Sequence, residues 1–297
     1  MAFFFFRVAF VTACLTLPTR SQGRNLATKE PERGKLVSLP DLFPYERKQL
    51  TDQGFQDLYG SSATSELTRL LDFDDGSDKT GKRLQSGECR EFPGSPSWPS
   101  QSAWAILNTA LQGALIPTTP LAAPCFRGWA SVYNEGKCTA IKNTFSNPYT
   151  HEDDPTSTMW PLYQGRSCLP PTDANATCTL GGSPSYVVNA SSVEHIQLAV
   201  NFARNANLRL VIKNTGHCYL GKSNGAGALG IWTHGLKDIK FFPKYKNEAY
   251  EGAAMKLGAG VTVREMYDSA DHYNVTALGG ICQVSSSASS SWAIQAD

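Results

Sequence analysis

A glycine-punctuated turn with one histidine is the segment of this chain best suited to chemistry. It covers residues 212–223, reads IKNTGHCYLGKS, and directly follows a near-continuously apolar run. Gly216 and Gly221 let the backbone approach a ligand closely, because glycine has no Cβ and tolerates positive φ. Main-chain N–H groups in such a turn can bind a phosphate. Three side chains add donors: Lys213, Thr215 and Ser223. The pattern fits an anion-binding loop and a purely structural turn about equally well.

Two side chains carry nucleophilic atoms. The neutral imidazole of His217 can add to an electrophilic carbon, and the thiolate of Cys282 is a competent nucleophile. A lone histidine between a strand and a turn is more often a hydrogen-bonded polar residue. Cys282 could equally be a free or mispaired thiol.

The cysteines favour an oxidising compartment. The chain has 8 cysteines, and removal of an N-terminal segment containing Cys14 would leave an odd number, so one thiol lacks an intrachain partner. Two close pairs are disulfide candidates because each closes a short loop: Cys125 with Cys138, and Cys168 with Cys178.

The first 23 residues are typical of a secretory signal, because an apolar run is broken by Pro18 and followed by small and polar residues. The alternative is a buried strand or helix. No later apolar run approaches the roughly 20 residues that a membrane helix needs. We therefore expect a secreted mature protein without a membrane partner. Three sequons would then accept glycans: Asn175, Asn189 and Asn274.

Composition excludes some partners and sites. Apolar residues make up 41% of the 297 residues, charged residues 18%, and the net charge is +1, so no nucleic-acid partner is expected.

Three other motifs carry little weight. Residues 225–230 read G-x-G-x-x-G but lead into a strand, which argues against a Rossmann fold. The serine-rich end lacks the G-x-S-x-G elbow of a hydrolase and favours a disordered tail. The histidines other than His217 show no metal-ligand spacing, so no metal site is predicted.

The elements that must position the turn begin after a polar extension. Residues 24–100 are predicted to be loosely ordered, with Asp72–Arg83 the most polar stretch. Apolar spacing predicts a helix from Trp104 to near Pro117. The following residues, to about 177, are rich in Pro, Cys and aromatic residues, which indicates a loop-rich region tied by disulfides.

From Tyr186 onward the chain predicts alternating strands and helices. Two capping boxes, Ser191–Glu194 and Thr262–Glu265, open helices, and Asn207 ends the first in the left-handed conformation. The remaining predictions are strands at 186–190, 208–213, 227–233, 254–260 and 275–280, and helices at 193–207 and 264–274. This order indicates an α+β or α/β domain.

From about Cys178 to Cys282 the chain resembles the vanillyl-alcohol oxidase superfamily, in its berberine-bridge-enzyme-like branch. Four segments carry the resemblance: PSYVVNASSVEHIQLAVNFARNANLRLVIKNTGHCYLGKS, GALGIWTHGLKDI, LGAGVTVREMYDSA and ALGGIC. It implies an α+β fold, a PCMH-type FAD-binding domain of two small α/β subdomains over residues 178–297. Upstream, GECREFPG and SWPSQSAWAILN resemble the N-terminal extension of fungal members, which would make 24–177 a loop-rich extension.

The resemblance also implies a cofactor and its contacts. FAD would be bonded through its 8α-methyl group to His217, and in bicovalent members through carbon 6 to the cysteine of GG-x-C, here Gly279, Gly280 and Cys282. The remaining residues on its phosphate and ribose side would be Lys213, Asn214, Thr215, Gly216, Gly221 and Ser223.

Two departures from the family pattern have consequences. Cys218 stands where the family usually has aspartate. After Cys282 the chain reads QVSSSASSSWAIQAD in place of a glycine-rich loop that supplies the second half of the pyrophosphate cradle. We therefore expect a C-terminally truncated FAD-binding domain without the substrate domain, whose catalytic base, often a tyrosine, has no counterpart here.

By resemblance the function is that of an FAD-linked oxidase. Hydride would pass from a small organic metabolite to covalently bound FAD, with molecular oxygen as the acceptor. The alternative is a secreted, disulfide-stapled remnant or binding protein without catalysis. Substrate, catalytic residues and oligomeric state are not predicted.

Overall fold

The computed structural model describes residues 42–51, 69–73, 89–246, 250–285 and 294–296. The predicted signal segment 1–23, most of the polar stretch after Phe73 and the serine-rich residues 286–293 lie outside these ranges. No helix of the described part is both long and apolar enough to cross a membrane.

The described residues form a mixed α+β fold, as predicted. The helices are α1 (Pro44–Arg47), α2 (Gln101–Ala110), α3 (Glu135–Thr144), α4 (Pro148–Glu152), α5 (Val193–Asn205) and α6 (Val263–His272). The strands are β1 (Leu115–Pro117), β2 (Tyr186–Asn189), β3 (Leu210–Lys213), β4 (Leu229–Trp232), β5 (Ile239–Lys246), β6 (Glu251–Leu257), β7 (Val275–Ala277) and β8 (Ile294–Ala296).

A four-stranded sheet in the order β1-β2-β4-β3 organises the first layer. Strands β2, β4 and β3 are parallel, and β1 joins β2 antiparallel. The register aligns Asn189 and Lys213 with Trp232, so these three strands end at one edge of the sheet. The loops that follow β3 and β4 therefore begin side by side, where open α/β sheets bind their ligands.

Helix α5 covers this sheet with an apolar face that includes Leu198 and Phe202, both fully buried. Trp104 of α2 packs against Phe202 and stacks on Tyr186 of β2, with ring centroids 4.9 Å and 4.1 Å away. The predicted Ser191–Glu194 capping box is wrong by one residue. Ser192 caps the helix instead, because its hydroxyl accepts a hydrogen bond from the N–H of His195.

The predicted helix from Trp104 to Pro117 is also wrong at both ends. Helix α2 begins at Gln101, capped by Ser100, and ends at Ala110. Gln112 and Gly113 have φ of 53° and 86°, which stops the helix. The apolar residues beyond them pair with β2 as β1. Short apolar runs do not distinguish a strand from a helical continuation.

The later strands form two separate two-stranded sheets, the β5–β6 hairpin and the β7–β8 pair, and α6 lies between them in the chain. The Thr262–Glu265 capping box and the left-handed Asn207 are confirmed. Strand β5 was missed because Pro243 and several lysines interrupt its alternation. The register shifts between Phe242 and Tyr245, which accommodates the proline at an irregularity.

Residues 118–177 contain the two predicted disulfides, Cys125–Cys138 and Cys168–Cys178. The first joins the short helical turn Ala123–Cys125 to α3, so this region holds a ten-residue helix as well as loops. Among the described residues, the free cysteines are Cys89, Cys218 and Cys282.

Candidate functional site

Asn214, the first residue after β3, fixes the start of the glycine turn. Its Nδ2 donates to the carbonyl oxygen of Ala259 at 2.9 Å, and its Oδ1 lies 2.7 Å from Nδ1 of His234. Its own carbonyl accepts from Nε1 of Trp232 at 3.1 Å. These bonds tie the turn to the end of β4 and to the loop after β6.

Both glycines of the turn adopt conformations that other residues rarely adopt. Gly216 has φ of 81°, and a Cβ there would lie 2.8 Å from Cε of Lys213 and 3.0 Å from the carbonyl oxygen of Ser157. Gly221 has φ of 68°, and its Cβ would lie 2.5 Å from the Tyr163 ring. The close approach predicted at these positions is thus made in part by the protein's own residues 157–163.

That segment covers one side of the turn. The main-chain N–H of Met159 donates to the carbonyl oxygen of Gly216 at 3.2 Å, and the Trp160 and Tyr219 rings meet edge to face at 5.4 Å. Sequence analysis placed these residues only in a loop-rich extension. Their proximity to the turn depends on tertiary contacts that no local pattern reports.

Several polar groups of the turn have no partner in the part of the chain that the structure describes. Within the described residues, no hydrogen bond uses the main-chain N–H groups of residues 215–219. The Oγ1 of Thr215 and both polar side-chain atoms of Asn224 are buried and unpartnered there too. Buried polar atoms without partners are costly, so these groups fit an anionic, hydrogen-bonding ligand. Asn224 was missed, although it directly follows the predicted Ser223.

Lys213 differs from its predicted role as a phosphate donor. Its side chain is buried, and its Nζ donates to the carbonyl oxygens of Asp154 at 2.7 Å and His151 at 3.1 Å, with that of Glu152 at 3.4 Å. Burial lowers the pKa of this ammonium to about 8. These hydrogen bonds hold the end of α4 against the turn.

The two predicted attachment residues differ in exposure. His217 is half-buried, and no hydrogen bond holds its ring within the described part of the chain. Cys282 is exposed and its thiol is free. The other predicted residues lie nearby in the chain: Ser223 is half-buried, Gly279 is exposed, and the carbonyl oxygen of Gly280 accepts from Tyr267 at 3.2 Å.

The segment after Cys282 is held against the first turn of α6. The N–H groups of Val263 and Arg264 donate to the carbonyl oxygens of Ser285 and Gln283 at 2.9 and 3.1 Å. These two N–H groups at the amino end of α6 are therefore already bonded to carbonyl oxygens of the protein.

Comparisons with known proteins show which proteins this chain resembles. Residues 184–287 match the family described as the FAD binding domain. Over 204 residues, 68% of this chain and 36% of the relative, the chain is 43% identical to the VAO-type flavoprotein oxidase VAO615 of Thermothelomyces thermophilus. It is 40% identical over 198 residues, 67% of this chain and 34% of the relative, to the bifunctional decalin synthase calF of Penicillium decumbens.

A solved structure extends the likeness to the fold. The crystal structure of the VAO-type flavoprotein MtVAO615 from Myceliophthora thermophila C1 at pH 5.0 matches with a TM-score of 0.65 and 42% identity. The match covers 67% of this chain and 36% of that one. The chain thus spans about a third of the length of these relatives. Residues 184–287 carry the FAD binding domain, and the resemblance to VAO-type flavoproteins inferred from the sequence is confirmed.

Proposed function

We propose that this chain binds FAD covalently through His217 and Cys282 and serves a FAD-linked oxidase reaction. The observation that carries the proposal is the glycine turn after β3. Among the described residues, the N–H groups of residues 215–219 and the buried Thr215 hydroxyl have no hydrogen-bond partner. When bound, FAD would supply the hydride acceptor for oxidation of a small organic substrate, with molecular oxygen as the final electron acceptor and peroxide as the by-product.

The turn supplies the contacts that a phosphate and ribityl chain need. The main-chain N–H groups of residues 215–219, which have no partner in the described part of the chain, can donate to phosphate oxygens. Thr215, Ser223 and Asn224 add hydroxyl and amide groups. Asn214 and Lys213 hold the turn in place, because their side chains donate hydrogen bonds to carbonyl oxygens of neighbouring segments.

His217 is suited to form the first bond. Its ring makes no hydrogen bond with the described residues and is half-buried, so a ring nitrogen in the neutral form is available as a nucleophile. Cys282 is suited to form the second, because it is a free, exposed thiol whose neighbours on both sides are anchored. The thiolate is the reactive form.

Intact mass and visible absorbance of the acid-denatured chain test this proposal. We expect a flavin-sized added mass and yellow colour in the wild type, retained in His217→Ala or Cys282→Ala alone and lost in the double variant. His272→Ala and Cys89→Ala are matched controls, since both positions are exposed and lie outside the turn.

The outcomes separate the alternatives. Colour that is lost on denaturation would leave FAD binding intact but refute both covalent bonds. A colourless chain of unmodified mass, with no FAD taken up when the cofactor is added, would favour the non-catalytic binding protein. Peroxide release with candidate alcohols and amines would then test turnover in yellow preparations.

We also propose that the protein is secreted and glycosylated. The two disulfides suit an oxidising compartment, and the sequon residues Asn175, Asn189 and Asn274 are all exposed. Expression in a fungal host should place the chain in the medium, with a mass that falls on treatment with an N-glycosidase. An intracellular chain without glycans would contradict this.

A further inference from the structure

Three acceptor groups from two distant segments of the chain converge beside the turn. A ring nitrogen of His234, after β4, and carboxylate oxygens of Glu152 and Asp153, at the end of α4, all lie within 4.8 Å of one another. Sequence spacing predicted no metal site because it compared histidines only with one another and with cysteines. The fold brings this histidine to two carboxylates.

The hydrogen bonds of Asn214 determine which nitrogen of His234 faces the carboxylates. Because Nδ2 of Asn214 donates to Ala259, its Oδ1 is the atom facing Nδ1 of His234. An amide oxygen only accepts, so Nδ1 carries the proton. With the proton on Nδ1 of the neutral ring, Nε2 presents a lone pair on the side of the carboxylates.

The groups that the described residues bring to this nitrogen in the cluster are two carboxylates, which are acceptors as well. Nε2 lies 3.7 Å from Oδ1 of Asp153, a contact between two acceptors when the imidazole is neutral. The Oε2 of Glu152 is buried and has no partner among the described residues. Such an arrangement is unfavourable unless a cation or a proton lies between these atoms. The Asp153 side chain is 78% exposed, which leaves a path from solvent.

We propose that His234, Glu152 and Asp153 form a site for a divalent transition-metal ion of the Zn²⁺ class. One imidazole nitrogen and two carboxylate oxygens suit borderline ions better than Mg²⁺ or Ca²⁺, which prefer oxygen ligands alone. Bonds of about 2.0–2.2 Å in a tetrahedral site separate ligands by roughly 3.4 Å, so small side-chain rotations would close the cluster, and water would take the fourth position.

Neighbouring charges set the strength of this site. The positive charges of Lys213 and Lys237 interact electrostatically with both Glu152 and His234 and would weaken the binding of a cation. The negative charge of Glu265 would strengthen it. Asn214 orients the imidazole in the way that outer-shell partners orient metal-bound histidines. The ion would join the end of α4 to the end of β4, next to the segment that Lys213 already clips to the turn.

Calorimetric titration of the tag-free chain with ZnCl₂ tests the proposal without any measurement of flavin or activity. We expect saturable binding of one ion, weakened at least tenfold in His234→Ala and in the near-isosteric Glu152→Gln. His272→Ala and Asp268→Asn are matched controls on the exposed side of α6 and should bind as the wild type does.

Zn²⁺ should also raise the melting temperature of the wild type and of both controls, but not of the site variants. Circular dichroism shows whether each variant is folded, and Glu152→Gln provides the test if His234→Ala unfolds. Absence of saturable binding in the wild type, or unchanged binding in a folded Glu152→Gln variant, would overturn the site. In that case a shared proton is what satisfies the cluster.

Discussion

Glu265 concentrates several interactions in one carboxylate oxygen, so its replacement should have a measurable and pH-dependent cost. Its Oε2 accepts from the N–H of Thr262 at 2.7 Å, from its hydroxyl at 2.9 Å and from Nζ of Lys237 at 2.9 Å. Glu265→Gln keeps the size and one acceptor but removes the charge. A cap contributes about 1 kcal/mol and a half-exposed ion pair at most about 1 kcal/mol, so we expect a loss of about 1–2 kcal/mol at pH 7.

The pH dependence has a definite sign. Burial alone would raise the pKa of Glu265, but the hydrogen bonds from Lys237 and Thr262 lower it overall from 4.5. A carboxyl with a lowered pKa in the folded state stabilises the protein above its unfolded pKa, and this contribution is lost as pH falls through the folded value. The difference in stability between wild type and Glu265→Gln should therefore shrink below pH 4.5.

Urea unfolding followed by circular dichroism at pH 7, 5, 4 and 3 measures this difference. Glu194→Gln is the matched control, because Glu194 also lies in a first helical turn, that of α5, but makes no side-chain hydrogen bond among the described residues. A Glu265→Gln cost no larger than that of Glu194→Gln, or one that grows toward acid, would refute the reasoning.

Three further perturbations follow from the same structure. Gly216→Ala should cost about 1–3 kcal/mol because of its positive φ, seen as a lower melting temperature, and should reduce the flavin-to-protein ratio. Lys213→Met should cost about 2–3 kcal/mol by leaving buried carbonyls unpaired, whereas the exposed Lys222→Met should change unfolding little. Replacing Cys125 and Cys138 by serine should cost about 2–4 kcal/mol, measured by denaturant unfolding without reductant.

Local signals predicted the parts of the fold that depend on neighbouring residues. The Thr262–Glu265 box was predictable because both partners lie within one helical turn. The sequence predicted Ser191 as the cap of α5, whereas the three-dimensional path of the chain places Ser192 at that position. Strand β5 was not predictable from alternation, since its stability comes from pairing with β6 around a proline.

The candidate site also combines features that local sequence predicts with features that depend on contacts between distant segments. The glycine turn and its donors were visible in the sequence because positive φ and hydrogen-bonding groups are local properties. The hydrogen bonds from Lys213 to the end of α4 and the cluster around His234 were not visible in the sequence, because each joins segments more than fifty residues apart. Asn224 was missed because nothing local marks an amide that is buried without a partner.

The bonds that hold residues 283–285 against α6 also constrain what Cys282 can do. Its thiol is carried by a short segment fixed at Gly280 on one side and at Gln283 on the other. A flavin bonded to both His217 and Cys282 would act as a cross-link that closes a loop of about 65 residues containing β4, the β5–β6 hairpin, α6 and β7. A cross-link of that span lowers the entropy of the unfolded chain by an amount worth about 4 kcal/mol. The cofactor would then serve this part of the chain as a structural staple as well as a redox group.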